Sequence, residues 1–99
     1  MNHFDLARAV AVLRSKYKAQ PIYVHGNSIE ADVFLSLDSK MVLIELAVDD
    51  KSVSVTNILA AEIRPPLEPI DFQDSTTSYR TNPLIVEFVK KIKQDVGLS

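Results

Sequence analysis

Met41-Val42-Leu43-Ile44-Glu45-Leu46-Ala47-Val48 is the stretch of sequence that decides the fold. Seven of these eight residues are apolar, and polar turn residues flank the run at 38–40 and 49–51. So short an apolar run between turn signals indicates a strand rather than a helix. A strand that is apolar on nearly both faces usually has a neighbouring strand on each side. We therefore predict that 41–48 is the central strand of an antiparallel sheet.

Three turn signals around this strand predict a meander, namely Gly26-Asn27, the loop at 38–40 and the loop at 49–52. The first suits a type II′ hairpin that pairs Val24 with Ile29. A two-residue loop at 39–40 pairs Leu37 with Val42 and keeps the Glu45 carboxylate off the core face, where burial would be costly.

The last predicted strand contains one polar residue at a core position. Pairing Val48 with Val53 places Asn57 opposite Ile44. Either a β-bulge lies near Asn57, or its side-chain amide is bonded to the backbone. Beyond this point, the alternation predicts Leu59, Ala61 and Ile63 on the core face and Ile58 on the opposite, outer face.

Helical patterns stand at both ends of the chain. Leu6, Val10, Leu13 and Tyr17 follow the spacing of one helical face. Asn2 or Asp5 could cap this helix, and Asn82-Pro83 is a favoured helix start. The intervening residues 65–81 include three prolines within five positions, which excludes a helix there. We call residues 65–81 the strap.

The predicted fold is a single two-layer α+β domain over residues 1–99. It has an N-terminal helix, a four-stranded antiparallel meander in the order 1-2-3-4, the long Pro-rich strap and a C-terminal helix, with both helices on one sheet face. The predicted elements are helix 4–18, strands 21–25, 28–37, 41–48 and 53–63, strap 65–81 and helix 83–96.

Composition favours an ordinary globular protein, with 46% hydrophobic and 24% charged residues. There is no cysteine, which excludes disulfides, thiolate metal sites and cysteine nucleophiles. The first 13 residues carry charges within their apolar pattern, unlike a signal peptide, and no window is long enough to span a membrane. A cytoplasmic location without membrane attachment is expected. The net charge is +3 over residues 1–20 and −5 over 21–63, so the predicted sheet is acidic.

No group of residues predicts catalysis, a metal site or a cofactor. His3 and His25 lack the partners of a catalytic triad, and the adjacent Asp49-Asp50 fits an ordinary turn. Two isolated glycines exclude a glycine-rich phosphate loop. A helix, three strands and a helix is also the order of double-stranded RNA-binding domains. However, the start of the last helix has no basic cluster, so nucleic-acid binding is not favoured.

The outer sheet face is the feature that indicates a function. It is predicted to carry Phe34, Met41, Leu43 and Ile58 among acidic residues, a pattern typical of a protein interface. The strap could cover this face, a second copy or another protein could bind it, or it could simply be exposed.

Two functional hypotheses follow. The first is a small non-enzymatic interaction protein of inhibitor, immunity or adaptor type, homodimeric and binding through the outer face. The alternative is a small-molecule-binding protein or minor enzyme with a pocket between the strap and the sheet. That pocket would use Tyr23, His25, Tyr79 and Arg80 as polar anchors.

Overall fold

The computed structural model describes residues 4–62, 73–74 and 79–98. In chain order the elements are α1 (Leu6–Ser15), β1 (Ile22–His25), β2 (Ser28–Leu37), β3 (Lys40–Val48), β4 (Val53–Glu62), β5 (Gln73–Asp74) and α2 (Pro83–Asp95). The strands form one open antiparallel sheet in the order β1-β2-β3-β4-β5. The predicted α+β fold with a four-stranded meander is confirmed, and β5 adds two residues at its edge. Most of the strap lies outside the described residues.

Side-chain caps fix where both helices begin. The Asp5 carboxylate accepts hydrogen bonds from the backbone N–H groups of Ala7 and Arg8, at 3.0 and 3.4 Å. Asn82 accepts from the N–H of Leu84 at 2.9 Å, and Pro83 occupies the first helical position. These bonds satisfy N–H groups that have no partner within the helix. α2 ends before Gly97, whose φ of 96° is readily adopted only by glycine.

The core lies between one sheet face and both helices, as predicted. Its central strand residues are Val42, Ile44, Leu46 and Val48, all 2% exposed or less. From the helices it includes Ala9, Leu13, Ile85, Ile92 and Val96. The alternation of β3 therefore places Met41, Leu43, Glu45 and Ala47 on the outer face, the sheet face opposite the helices.

The register between β2 and β3 differs from the predicted one by two residues. Leu35 pairs with Val42 and Leu37 with Lys40, so the turn is Asp38-Ser39 rather than residues 39–40. Both turn residues have positive φ, 47° and 66°, as a type I′ hairpin requires. A shift of two residues leaves every side chain on its predicted face because side chains alternate with a period of two.

A bulge in β4 reverses the predicted faces of its second half. Leu46 pairs with Val55, but the preceding Glu45 pairs with Asn57, so Thr56 is an extra residue. The Asn57 side chain also accepts a hydrogen bond from the N–H of Ile58 at 3.0 Å, so both predicted alternatives occur together.

Ile58 is consequently a core residue. It pairs with Ile44 and is fully buried, so its predicted place on the outer face is wrong. Leu59 pairs with Leu43 and Ala61 with Met41, which places both on the outer face instead of the core face. Ile63 lies outside the described residues.

Candidate protein interface on the outer sheet face

The outer face carries two neighbouring rows of side chains across β2, β3 and β4. The apolar row consists of Phe34, Leu43 and Leu59, which are successive cross-strand partners. The row that we call acidic consists of the carboxylates Asp32 and Glu45 and the amide Asn57. These three are also successive cross-strand partners, and each lies two residues from the apolar-row residue of its own strand. Because successive residues on one face are two apart, the rows lie directly side by side.

The apolar row is accessible to solvent. Phe34 is 42% exposed, and Leu43 and Leu59 are partly exposed. Met41 is also partly exposed and extends the apolar surface beyond Leu43. Tyr23, on β1, is 56% exposed near the other end of the face. Large apolar side chains gathered on one face and bordered by charge are typical of interaction surfaces.

The acidic row holds two carboxylates against each other. Burial, and then the neighbouring Glu45 carboxylate, raise the pKa of Asp32. Glu45 accepts a hydrogen bond from the Asn57 side chain, with Nδ2 and Oε1 3.3 Å apart. Both causes of the Asp32 shift disfavour its ionised form. A cation beside Asp32 would therefore relieve an unfavourable charge, which gives this row a chemical preference for positive groups.

The residues of the alternative pocket lie in two separate places. Tyr23 and His25 are on β1, where the His25 Nε2 lies 3.9 Å from the Glu30 carboxylate. Tyr79 packs against the core, and Arg80 donates a hydrogen bond to the carbonyl oxygen of Val55 on β4, at 2.8 Å. Since β2 and β3 separate β1 from β4, the structure does not bring these two pairs together.

Leu59 is the large, partly exposed apolar residue of the outer face that the sequence interpretation missed. The signal for it was present, because a bulge near Asn57 was already one of the two predicted ways to accommodate that amide. A bulge inserts one residue and so exchanges the two faces beyond it. Following that consequence along the strand would have placed Leu59 beside Leu43 and Ile58 in the core.

Searches for other sites and for relatives add no functional assignment. Within residues 4–62, 73–74 and 79–98, no group of three or more His, Asp or Glu residues could hold a metal ion. In the same part of the chain, no helix is long and apolar enough to cross a membrane. Comparisons with protein-family models, curated proteins and solved structures find no match.

Proposed function

We propose that this protein is a small non-enzymatic interaction protein that binds a protein partner through its outer sheet face. The observation that supports this proposal is the apolar row lying beside the acidic row, on the face against which neither helix packs. Inhibitor, immunity and adaptor proteins all work in this way, by occupying a surface of another protein. A cytoplasmic location belongs to the same proposal and is compatible with a cysteine-free chain.

The charge of the face favours a partner with basic residues. Its charged side chains include Glu30, Asp32 and Glu45, and no Lys or Arg of the described strands lies on it. A partner that fits would present apolar side chains to Phe34, Leu43 and Leu59, and a lysine or arginine to Asp32 and Glu45. Such complementarity favours rapid and specific association.

The homodimer predicted from the sequence is the competing occupant of the face. Two copies packed face to face would bring two acidic rows into one interface, and the described strands of neither copy would place a Lys or Arg there. Burying unpaired carboxylates is costly. A basic partner is therefore the better supported occupant, and self-association is an outcome that the experiment must detect.

The test is affinity capture followed by measurement with the purified partner. Wild type is compared with Leu43→Asp, which places a charge in the apolar row, and with Asp32→Asn/Glu45→Gln, which neutralises the acidic row. Val86→Asp is the matched control, because Val86 is 48% exposed but lies on α2, away from the outer face. We expect wild type to capture a partner that binds it directly. Leu43→Asp should lose this partner, Asp32→Asn/Glu45→Gln should bind it more weakly, and Val86→Asp should bind it as wild type does.

Two results would contradict the proposal. One is a Leu43→Asp variant that is folded and binds every partner with wild-type affinity. The other is a wild type that light scattering shows to be a dimer, with Leu43→Asp monomeric, which would assign the outer face to a second copy.

A further inference from the structure

A groove on the helix side of the sheet, separate from the outer face, lies between α2 and the end of β2. Its volume is about 730 Å³, within the range of about 300–1,000 Å³ typical of small-molecule sites. Leu35 and Leu37 form the β2 side. Leu84, Phe88 and Lys91 form the α2 side, at the i, i+4 and i+7 spacing that places them on one helical face.

The groove is apolar at one end and cationic at the other. Leu84 is 60% exposed at the apolar end, beside the partly buried Phe88 and Leu35. Lys90 and Lys91 line the other end and are both exposed. From Leu84 to Lys91 the helix advances about 10 Å, a distance comparable to the length of a medium-chain carboxylate.

Neighbouring carboxylates only partly balance the lysine side of the groove. Lys91 acts electrostatically on the Asp95 carboxylate, which also contacts Lys16 and Tyr17 and does not line the groove. Within the described part of the chain, no carboxylate oxygen lies within 4.0 Å of the side-chain nitrogen of Lys90 or Lys91. Glu87, one helical turn before Lys91, also lines the groove, but it does not form an ion pair with Lys91 there. Among the residues that line the groove, two lysines and one glutamate leave one excess positive charge.

The size of the groove indicates a small ligand rather than a protein. A standard protein interface involves about 20–30 residues from each partner, whereas nine residues line this groove. We infer that the groove is a binding site for a small amphiphilic carboxylate. Its apolar chain would lie along Leu35, Leu84 and Phe88, and its carboxylate would lie between Lys90 and Lys91. This inference does not depend on the function proposed for the outer face.

The test is a titration of the ¹⁵N-labelled full chain with decanoate, followed by NMR. We expect saturable shifts at the amides of 35–37 and 84–94. Lys90→Gln/Lys91→Gln removes two charge-assisted contacts and should weaken binding by about tenfold or more. Leu84→Ser should also weaken it, because the apolar end loses its most exposed side chain.

Matched controls come from the same helix. Lys93 and Val86 lie on α2 but do not line the groove, so Lys93→Gln and Val86→Ser should bind decanoate within about twofold of wild type. Decyltrimethylammonium has the same chain and the opposite charge, and it should bind much more weakly. Amide spectra and thermal unfolding establish that each variant is folded.

Four outcomes would overturn the inference. The first is the absence of saturable shifts at any decanoate concentration below its micelle threshold. The second is equal binding of decanoate and decyltrimethylammonium, which would show that the lysines do not select the ligand. The third is an equal loss of binding in the groove and control variants. The fourth is a set of shifts centred on the outer face around Leu43.

Discussion

At the scale of single residues, the like-charged pair of Asp32 and Glu45 lowers the stability of the folded protein. They are cross-strand partners on the outer face, and burial and the Glu45 charge both raise the pKa of Asp32. Like charges directly opposite each other destabilise a sheet. If the acidic row binds a basic partner, this is the ordinary trade between stability and function.

Neutralising Asp32 should therefore stabilise the isolated protein. We expect Asp32→Asn to raise the free energy of unfolding at neutral pH by about 0.5 kcal/mol, the scale of a cross-strand charge pair. Because folding raises the pKa of Asp32, wild type regains this stability as the pH falls through the folded pKa, and the two proteins converge below the ordinary aspartate pKa of about 4.

Denaturant unfolding at several pH values measures this difference. Asp50→Asn is the control, since Asp50 is exposed in the β3–β4 turn and is not part of the acidic row. A loss of stability in Asp32→Asn at neutral pH would contradict the prediction. So would a gain that persists unchanged in acid.

Tyr17, two residues after the end of α1, forms a polar contact with the last residue of α2. Its hydroxyl donates to the Asp95 carboxylate, which also pairs with Lys16 Nζ at 2.8 Å. Its ring packs edge-on against Phe88, with centroids 5.6 Å apart. Lys16, followed by Tyr17, lowers the pKa of Asp95. Burial, followed by the hydrogen bond to Asp95, raises the pKa of Tyr17.

This contact predicts a loss of stability in alkali. Because folding raises the pKa of Tyr17, the unfolded chain releases the phenolic proton first. Stability should therefore fall as the pH rises above the ordinary tyrosine pKa of about 10. Tyr17→Phe keeps the ring but should cost about 1 kcal/mol at neutral pH through the lost hydrogen bond. It should also remove Tyr17's share of the alkaline decline. Urea unfolding of wild type and Tyr17→Phe at increasing pH measures the free energy of unfolding. An equal alkaline loss of stability in the two proteins would contradict the prediction.

At the scale of elements, the sequence predicted the helices and strands better than their exact alignment. The apolar alternation of 41–48 identified the correct core face, because one-residue slips would bury Glu45. It could not exclude a two-residue shift, which leaves the faces unchanged. That choice depended on the turn, where Asp38 and Ser39 both adopt positive φ. In β4, one extra residue at the bulge reversed the faces beyond it, so a local irregularity outweighed the overall pattern.

The reversed half of β4 gives a direct mutational test. Ile58 is fully buried in the core, whereas its neighbour Leu59 is partly exposed on the outer face. Ile58→Ala should cost about 2–5 kcal/mol of unfolding free energy, because it leaves a cavity in the core. Leu59→Ala should cost about 1 kcal/mol or less. Denaturant unfolding of both variants measures the contrast, and a larger cost at Leu59 would support the bulge-free alignment instead.

At the scale of the whole molecule, two surfaces of opposite charge lie on opposite sides of one sheet. The outer face is acidic and apolar, and the groove beside α2 is basic and apolar. The sequence placed Phe34, Met41 and Leu43 correctly on the outer face, since their strands follow simple alternation. Their role in an interface stays a prediction. The groove was not predictable, because it depends on where α2 lies relative to the end of β2, a tertiary distance that no local pattern specifies.

The separation of these surfaces predicts that they act independently. Lys90→Gln/Lys91→Gln should weaken decanoate binding and leave the captured partner's affinity unchanged, whereas Asp32→Asn/Glu45→Gln should do the reverse. Added salt should slow the association of the partner with wild type, because screening weakens the attraction between opposite charges. The same salt should slow association with Asp32→Asn/Glu45→Gln much less, because that variant lacks the attracting charges. Surface plasmon resonance at low and high salt measures these rates, with NMR titration for decanoate. If the groove variant weakened partner binding as much as the outer-face variant, the two surfaces would have to contact one partner together, and the division of the sheet into two sites would be wrong.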